Sequence, residues 1–224
     1  MIEPGALIAS GRDADIFEYG HGRVLRRSRN GRSMATEART MEFVRTRGYP
    51  APRVFDVSDD GLDLVMERVD GTTMVDAGAS HPWRLRAMGR ELAGLHELLH
   101  RIAAPDWVPA APVGTGDRLL HMDLHPLNVL MGPDGPVVID WANAARGEPT
   151  IDVAVTWVLV ASGQVPTGRV QSAVLGIGRR ILLGSFLGPI PMDALRSTLA
   201  EVVEWKCADP NMSAGEIDRM RSLR

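Results

Sequence analysis

The chain has 224 residues, of which 45% are hydrophobic and 24% charged, with 25 Lys+Arg against 28 Asp+Glu and a formal net charge of −3. This is the composition of an ordinary globular chain of one or two lobes; it excludes collagen-like and disordered classes and offers no basic field for nucleic-acid phosphates. Cys207 is the only cysteine, so an intramolecular disulfide framework and a cysteine metal cluster are excluded. The start lacks a leader-like pattern and the apolar run Val153 to Ala161 is far shorter than the roughly 20 residues of a membrane span, so a cytoplasmic protein with neither membrane nor nucleic-acid partners is expected.

In chain order, Leu7 to Ala9, Ile16 to Tyr19 and Arg23 to Arg27 are strand-length pieces separated by Gly11, Gly20 and Gly22. Arg53 to Val57 and Leu62 to Met66 flank the turn Ser58-Asp59-Asp60-Gly61. Together they predict an antiparallel sheet, interrupted by one helix over Met34 to Thr46 that stops near Gly48 and Pro50. After Asp70-Gly71 the pattern turns helical: Leu85, Met88, Leu92, Leu95, Leu99 and Ile102 recur in steps of three and four, the mark of one buried helical face. Leu119-Leu120, Asn128 to Met131 and Pro136 to Ile139 read as short strands, and apolar helices return from about Asp152. Ser213-Ala214-Gly215-Glu216 forms a capping box for a last helix. The expected division is 1–69 for a first, nucleotide-binding lobe and 70–224 for a catalytic and acceptor-binding lobe.

The stretch that carries chemistry runs from His121 through Met122, Asp123, Leu124, His125, Pro126 and Leu127 to Asn128, followed after a hairpin by Val138-Ile139-Asp140-Trp141. Phosphoryl transfer asks for a carboxylate to orient the attacking hydroxyl, then an amide oxygen and a second carboxylate to hold Mg²⁺ on nucleotide phosphates. Asp123, Asn128 and Asp140 supply that set in that order. Taken singly, each is a common turn residue. A different chemistry is also open: His121, Asp123 and His125 alternate, and on a strand they would share one face and could hold zinc or iron for a metal-dependent hydrolase. Leu124 and Pro126 favour a loop, and that alternative leaves Asn128 and Asp140 without roles.

The pattern His121-x-Asp123-x-His125-Pro126-x-Asn128-Val129-Leu130, with Val138-Ile139-Asp140-Trp141, resembles the aminoglycoside phosphotransferase and choline kinase family, distant relatives of protein kinases. The resemblance implies an α+β, bilobal protein-kinase-like fold, with a small antiparallel-sheet N-lobe holding one helix and a mainly helical C-lobe, and ATP in a cleft. It implies Asp123 as catalytic base and Asn128 and Asp140 as Mg²⁺ ligands. It further implies a strand cation on the nucleotide phosphates, held by a helix glutamate. With 24 of the 25 basic residues arginine and Lys206 the sole lysine, that cation must be an arginine: Arg26, sharing a strand face with the adenine-covering Val24, and partnered by Glu37 rather than the more distant Glu42. Arg27 replaces it if the register slips by one. Ser10 and Gly11 stand where a phosphate-covering loop belongs, though with one glycine instead of three. Met66, Glu67 and Val69 resemble the hinge strand, with Glu67 C=O and Val69 N–H toward adenine, so GTP is not excluded. Asp152 resembles the aspartate that steadies the catalytic loop; it reads equally as a carboxylate favoured at a helix N-terminus. The short span from Asp140 to Asp152 lacks room for a regulatory activation segment, which points to a small-molecule hydroxyl as acceptor. Glu201, Glu204, Asp209, Glu216 and Asp218 are candidate carboxylates for a cationic acceptor. A non-catalytic nucleotide-binding module is the remaining alternative.

Overall fold

The computed structural model describes residues 4–163, 169–210 and 212–223. They divide into two compact units: the chain up to Thr72 together with Val129–Asn143, and Thr73–Asn128 together with the chain from Ala144 on.

In the first unit, β1 (Leu7–Ser10), β2 (Ala14–Glu18), β3 (Arg23–Ser28), β4 (Val54–Val57) and β5 (Asp63–Glu67) form one sheet in the order β1-β2-β3-β5-β4. Every pairing is antiparallel, with Arg26 opposite Ile16 on one side and Leu64 on the other. Helix α1 (Ala35–Arg45) turns Glu37, Ala38, Thr40, Met41 and Val44 inward. It ends as its sequence dictates: Gly48 takes a left-handed φ of 78°, which costs a glycine little, while Tyr49 N–H reaches back to the Val44 carbonyl at 3.1 Å and Pro50 prevents continuation. The hairpin of β8 (Val129–Gly132) and β9 (Gly135–Val138) belongs to this unit, pairing Val129 with Val138 and Gly132 with Gly135. It is tied there by Val138 N–H to the Pro50 carbonyl at 2.8 Å and by Trp141, whose ring meets Tyr49 edge-on at 5.4 Å.

Between these, Thr72–Thr73 is a two-residue strand, β6. The second unit starts with α2 (Met74–Ser80), a short helix absent from the sequence reading, whose Thr73 hydroxyl accepts from Asp76 N–H. Helix α3 (Leu85–His100) buries Met88, Leu92, Leu95 and Leu99 as its spacing predicts, with Gly89 and His96 added; Leu85 is half-buried, and Ile102 is buried just beyond the helix end. Strands β7 (Arg118–Leu120) and β10 (Ala145–Gly147) pair antiparallel. Helix α4 (Pro149–Ser162) is buried on most of its surface and packs against α6 (Met192–Cys207), α7 (Ala214–Arg221) and α5 (Arg169–Leu187). The Ser213–Glu216 capping box of α7 is present in both directions. Among the described residues no helix is long and apolar enough to cross a membrane.

Helix α3 meets α5 at Gly89, where an added Cβ would stand 2.4 Å from the Leu182 carbonyl oxygen. A backbone oxygen cannot swing aside, so Gly89→Ala should destabilise by about 1–3 kcal/mol despite better helix propensity. Gly94, on the same helix with nothing within 4 Å of a Cβ, is the control: Gly94→Ala should stabilise by about 0.5–1 kcal/mol. Thermal melts of both variants check this, and equal signs would refute the close-approach account.

Candidate active site

Within the first unit, β3 places Val24 and Arg26 on one face and Leu25 and Arg27 on the other; Val24, Leu25 and Arg26 are buried and Arg27 is exposed. Arg26 is buried, with its Nη1 on Glu37 Oε1 of α1 and its Nη2 on Asp140 Oδ1 at 2.9 Å. Burial works against the guanidinium's charge, but Glu37 and Asp140 outweigh it and raise its pKa. Glu37 is pushed up to about 7 by burial, opposed by Arg26 and reinforced by the Asp140 charge. Arg27 lies on the other face in a two-point pair with Asp63, 2.7 Å at each contact. Glu42 is exposed. Asp140 adopts a left-handed φ of 65°, a conformation an aspartate tolerates at a cost on the order of 1 kcal/mol.

The remaining first-unit candidates are more ordinary. Val24 is opposite Met66 across β3 and β5. Glu67 N–H bonds to the Arg53 carbonyl, and Val69 follows the end of β5. The Gly11 N–H is already used, donating to the Ala14 carbonyl at 2.9 Å, and Ser10 Oγ donates to Asp15 Oδ1 at 2.6 Å while accepting from Arg29. In this conformation the turn is closed on itself and Gly11 offers no donor to a phosphate.

In the second unit, Asp123 and Asn128 are in direct contact: Asn128 Nδ2 donates to the Asp123 carbonyl at 2.9 Å and to its Oδ2 at 3.1 Å. A 3₁₀ turn at Pro126–Asn128, closed by Asn128 N–H on the His125 carbonyl, makes this possible. His125 Nδ1 accepts from Leu127 N–H at 3.3 Å, which leaves Nε2 to carry a proton, 3.4 Å from Asp123 Oδ1. Burial alone would raise the Asp123 pKa; the His125 hydrogen bond and the positive field of His125, His121 and Lys206 hold it below the usual carboxylate value.

His121, Asp123 and His125 do not gather as metal ligands, and among the described residues no group of three or more His, Cys, Asp or Glu is placed to hold one. The alternation that suggested a shared face fails because Met122 adopts a left-handed φ of 63° and the segment is a loop. Its shape comes from α4. Asp152, fully buried, accepts from His121 N–H at 3.0 Å and Met122 N–H at 2.8 Å, and its Oδ2 also meets His100 Nε2 at 3.1 Å. His100, 52 residues from Asp152 in the chain, was not legible as its partner. Of the carboxylates considered for a cationic acceptor, Glu216 serves the α7 cap, Asp209 lies 3.9 Å from Lys206, and Glu201, Glu204 and Asp218 are exposed.

Burial raises the Asp152 pKa, but the His100 hydrogen bond, the charges of His96 and His100 and the backbone donation outweigh it and bring it well below the ordinary range. A carboxyl depressed on folding stabilises at pH above its unfolded pKa, about 3.9, and loses that contribution as pH falls through and below it. The melting-temperature deficit of Asp152→Asn should therefore be present above about pH 4 and shrink below it; a deficit growing in acid would contradict the assignment.

The model of a family described as a phosphotransferase enzyme family matches residues 5–115 and 104–180. No curated protein matches by sequence. Among solved structures, aminoglycoside phosphotransferase APH(4)-Ia is similar at a TM-score of 0.66 and 16% identity, over 97% of this chain and 92% of that one. The ADP-bound aminoglycoside phosphotransferase APH(2'')-Ib is similar at 0.60 and 15%, over 99% and 92%. A choline/ethanolamine kinase family protein from Mesorhizobium loti is similar at 0.61 and 14%, over 99% and 87%. At these identities the likeness is one of fold: the α+β, kinase-like fold that the sequence motifs imply.

Proposed function

Because the chain belongs to the phosphotransferase enzyme family, we propose that it moves the γ-phosphate of Mg²⁺-bound ATP to a hydroxyl group of a small molecule. The observation that carries this reading is Arg26: a buried cation on the third strand, its fork divided between a helix glutamate and Asp140. Nothing in a sheet core calls for such a group, whereas nucleotide phosphates do.

Asn128 and Asp140 would hold the metal. The donor set fits a hard cation: Asp140 contributes a carboxylate that is 40% exposed, and Asn128, whose Nδ2 is fixed on Asp123, has Oδ1 as its other polar end. When bound, the ion neutralises charge on the nucleotide phosphates. Asp123, kept ionised, accepts a hydrogen bond from the acceptor hydroxyl and takes its proton as the new O–P bond forms and the bond to ADP breaks. Arg26 stabilises the negative charge on the phosphates throughout. Val24 and Met66 would cover the base, with the Glu67 C=O and Val69 N–H toward its edge.

Assays of ATP and GTP consumption with aminoglycosides, choline, amino alcohols and sugars test the reading. Asp123→Asn should retain nucleotide affinity by calorimetry and lose about 10²- to 10⁴-fold in turnover; full turnover would refute the assignment. Nucleotide binding without turnover on any acceptor would support the non-catalytic module instead. Arg26→Ala should raise KM for ATP and lower kcat, while Arg27→Ala, removing a guanidinium bound to Asp63 on the far face, should do neither.

A further inference from the structure

We propose that Thr156 is a positioning residue for phosphoryl transfer: its hydroxyl holds the Leu124 carbonyl, and with it the backbone next to Asp123, while His96 holds Thr156. The inference rests on Asp123 being the base.

Thr156 lies on α4, four residues after Asp152, so the two side chains leave the helix on one face. Asp152 takes the His121 and Met122 N–H groups, just before Asp123. Thr156 Oγ1 donates to the Leu124 carbonyl, just after it, at 2.7 Å. The polarities are matched: an anion receives the two N–H donors and a hydroxyl serves the carbonyl. Helix α3 repeats the spacing with His96 and His100, each reaching one member of the α4 pair, His100 to Asp152 at 3.1 Å and His96 Nε2 to Thr156 Oγ1 at 2.9 Å. Two residues from each helix thus bracket Asp123 from both sides. A buried threonine in a helix commonly returns its hydroxyl to its own helix's carbonyl four residues back; Thr156, fully buried, sends it across to the loop instead.

The test compares Thr156→Val, which keeps the shape and removes the hydroxyl, with Thr156→Ser, which keeps the hydroxyl. Two readouts are needed: steady-state ATP turnover, and amide hydrogen exchange of residues 121–128 followed by mass spectrometry. Thr156→Val should lower kcat about tenfold, roughly the worth of one hydrogen bond to a buried carbonyl, leave KM for ATP nearly unchanged, and speed exchange in 121–128. Thr156→Ser should restore both. Unchanged turnover with unchanged loop exchange in Thr156→Val overturns the proposal. So does equal damage from Ser and Val, or faster exchange throughout α3 and α4, since either marks a packing role. Asp123→Asn is the separate control: if it turned over ATP like the wild type, the base assignment would fall, while exchange of 121–128 in Thr156→Val would still decide whether the hydroxyl holds the loop.

Discussion

A fully buried carboxylate sets the geometry of the second unit. Removing Asp152 from water costs several kcal/mol unless its oxygens are satisfied, and here they are met by two consecutive backbone N–H groups and an imidazole. Successive N–H groups converge on one anion only when the chain turns sharply, and the left-handed φ of Met122 supplies that turn. The strand β7, which ends at Leu120, therefore gives way abruptly to a loop, and Asp123 is the first polar side chain beyond the turn. Asp152 also occupies the first turn of α4, where the helix dipole favours an anion. Its place in the first turn and its loop-holding role are one arrangement: the dipole lowers the cost of the charge that the loop requires.

The first unit uses charge in the opposite sense. It buries a cation, Arg26, beside its partner Glu37, and the choice of arginine has a structural consequence beyond filling a lysine's place. A guanidinium presents separate nitrogens in a rigid plane, so Nη1 and Nη2 engage Glu37 and Asp140 independently. Holding Arg26 on α1 and on the segment after β9 at once ties helix, central strand and hairpin into one frame. That frame explains why Val129–Asn143, distant in sequence, belongs with the first unit: the Val138–Pro50 hydrogen bond and the Trp141–Tyr49 contact act in the same direction.

What the sequence made legible follows from period and turn chemistry. The alternation in β3 put Arg26 and Arg27 on opposite faces, leaving only the register open, and the three-and-four spacing of α3 marked its buried face, because a regular element imposes its period on the chain. The capping box at Ser213 was legible for the same local reason. Helix α2 was not, since seven residues with Gly78 inside give no full amphipathic period. Strand β10 was missed because three residues cannot show alternation. His96, His100 and Thr156 were hidden differently: His96 and Thr156 are polar residues at positions an apolar residue would fill, and partners 60 and 52 residues apart leave no local trace. The closed turn at Gly11 depended on a single backbone hydrogen bond, which no side-chain pattern reports.

Counting hydrogens along the His96–Thr156 path shows where its tension lies. Both ends are carbonyl oxygens, Leu92 at 2.9 Å from Nδ1 and Leu124 at 2.7 Å from Oγ1, with the Nε2–Oγ1 contact between them. Three contacts between acceptor ends need three hydrogens, and a neutral imidazole with one hydroxyl supplies two. An imidazolium would complete the set. Burial opposes it, bringing His96 from 6.5 down to about 4 despite the nearby Asp152 charge. Desolvation thus outweighs both the Asp152 charge and the Leu92 hydrogen bond, each of which favours the charged ring. The ring therefore stays neutral at physiological pH and one contact goes without its hydrogen. The Leu92 carbonyl lies within a regular helix and already has the ladder bond of its own turn to satisfy it, whereas the Leu124 carbonyl is in a loop with no ladder. With the hydroxyl hydrogen kept on the loop that carries Asp123, Nε2 must hold the ring proton and the deficit falls on the Nδ1–Leu92 contact.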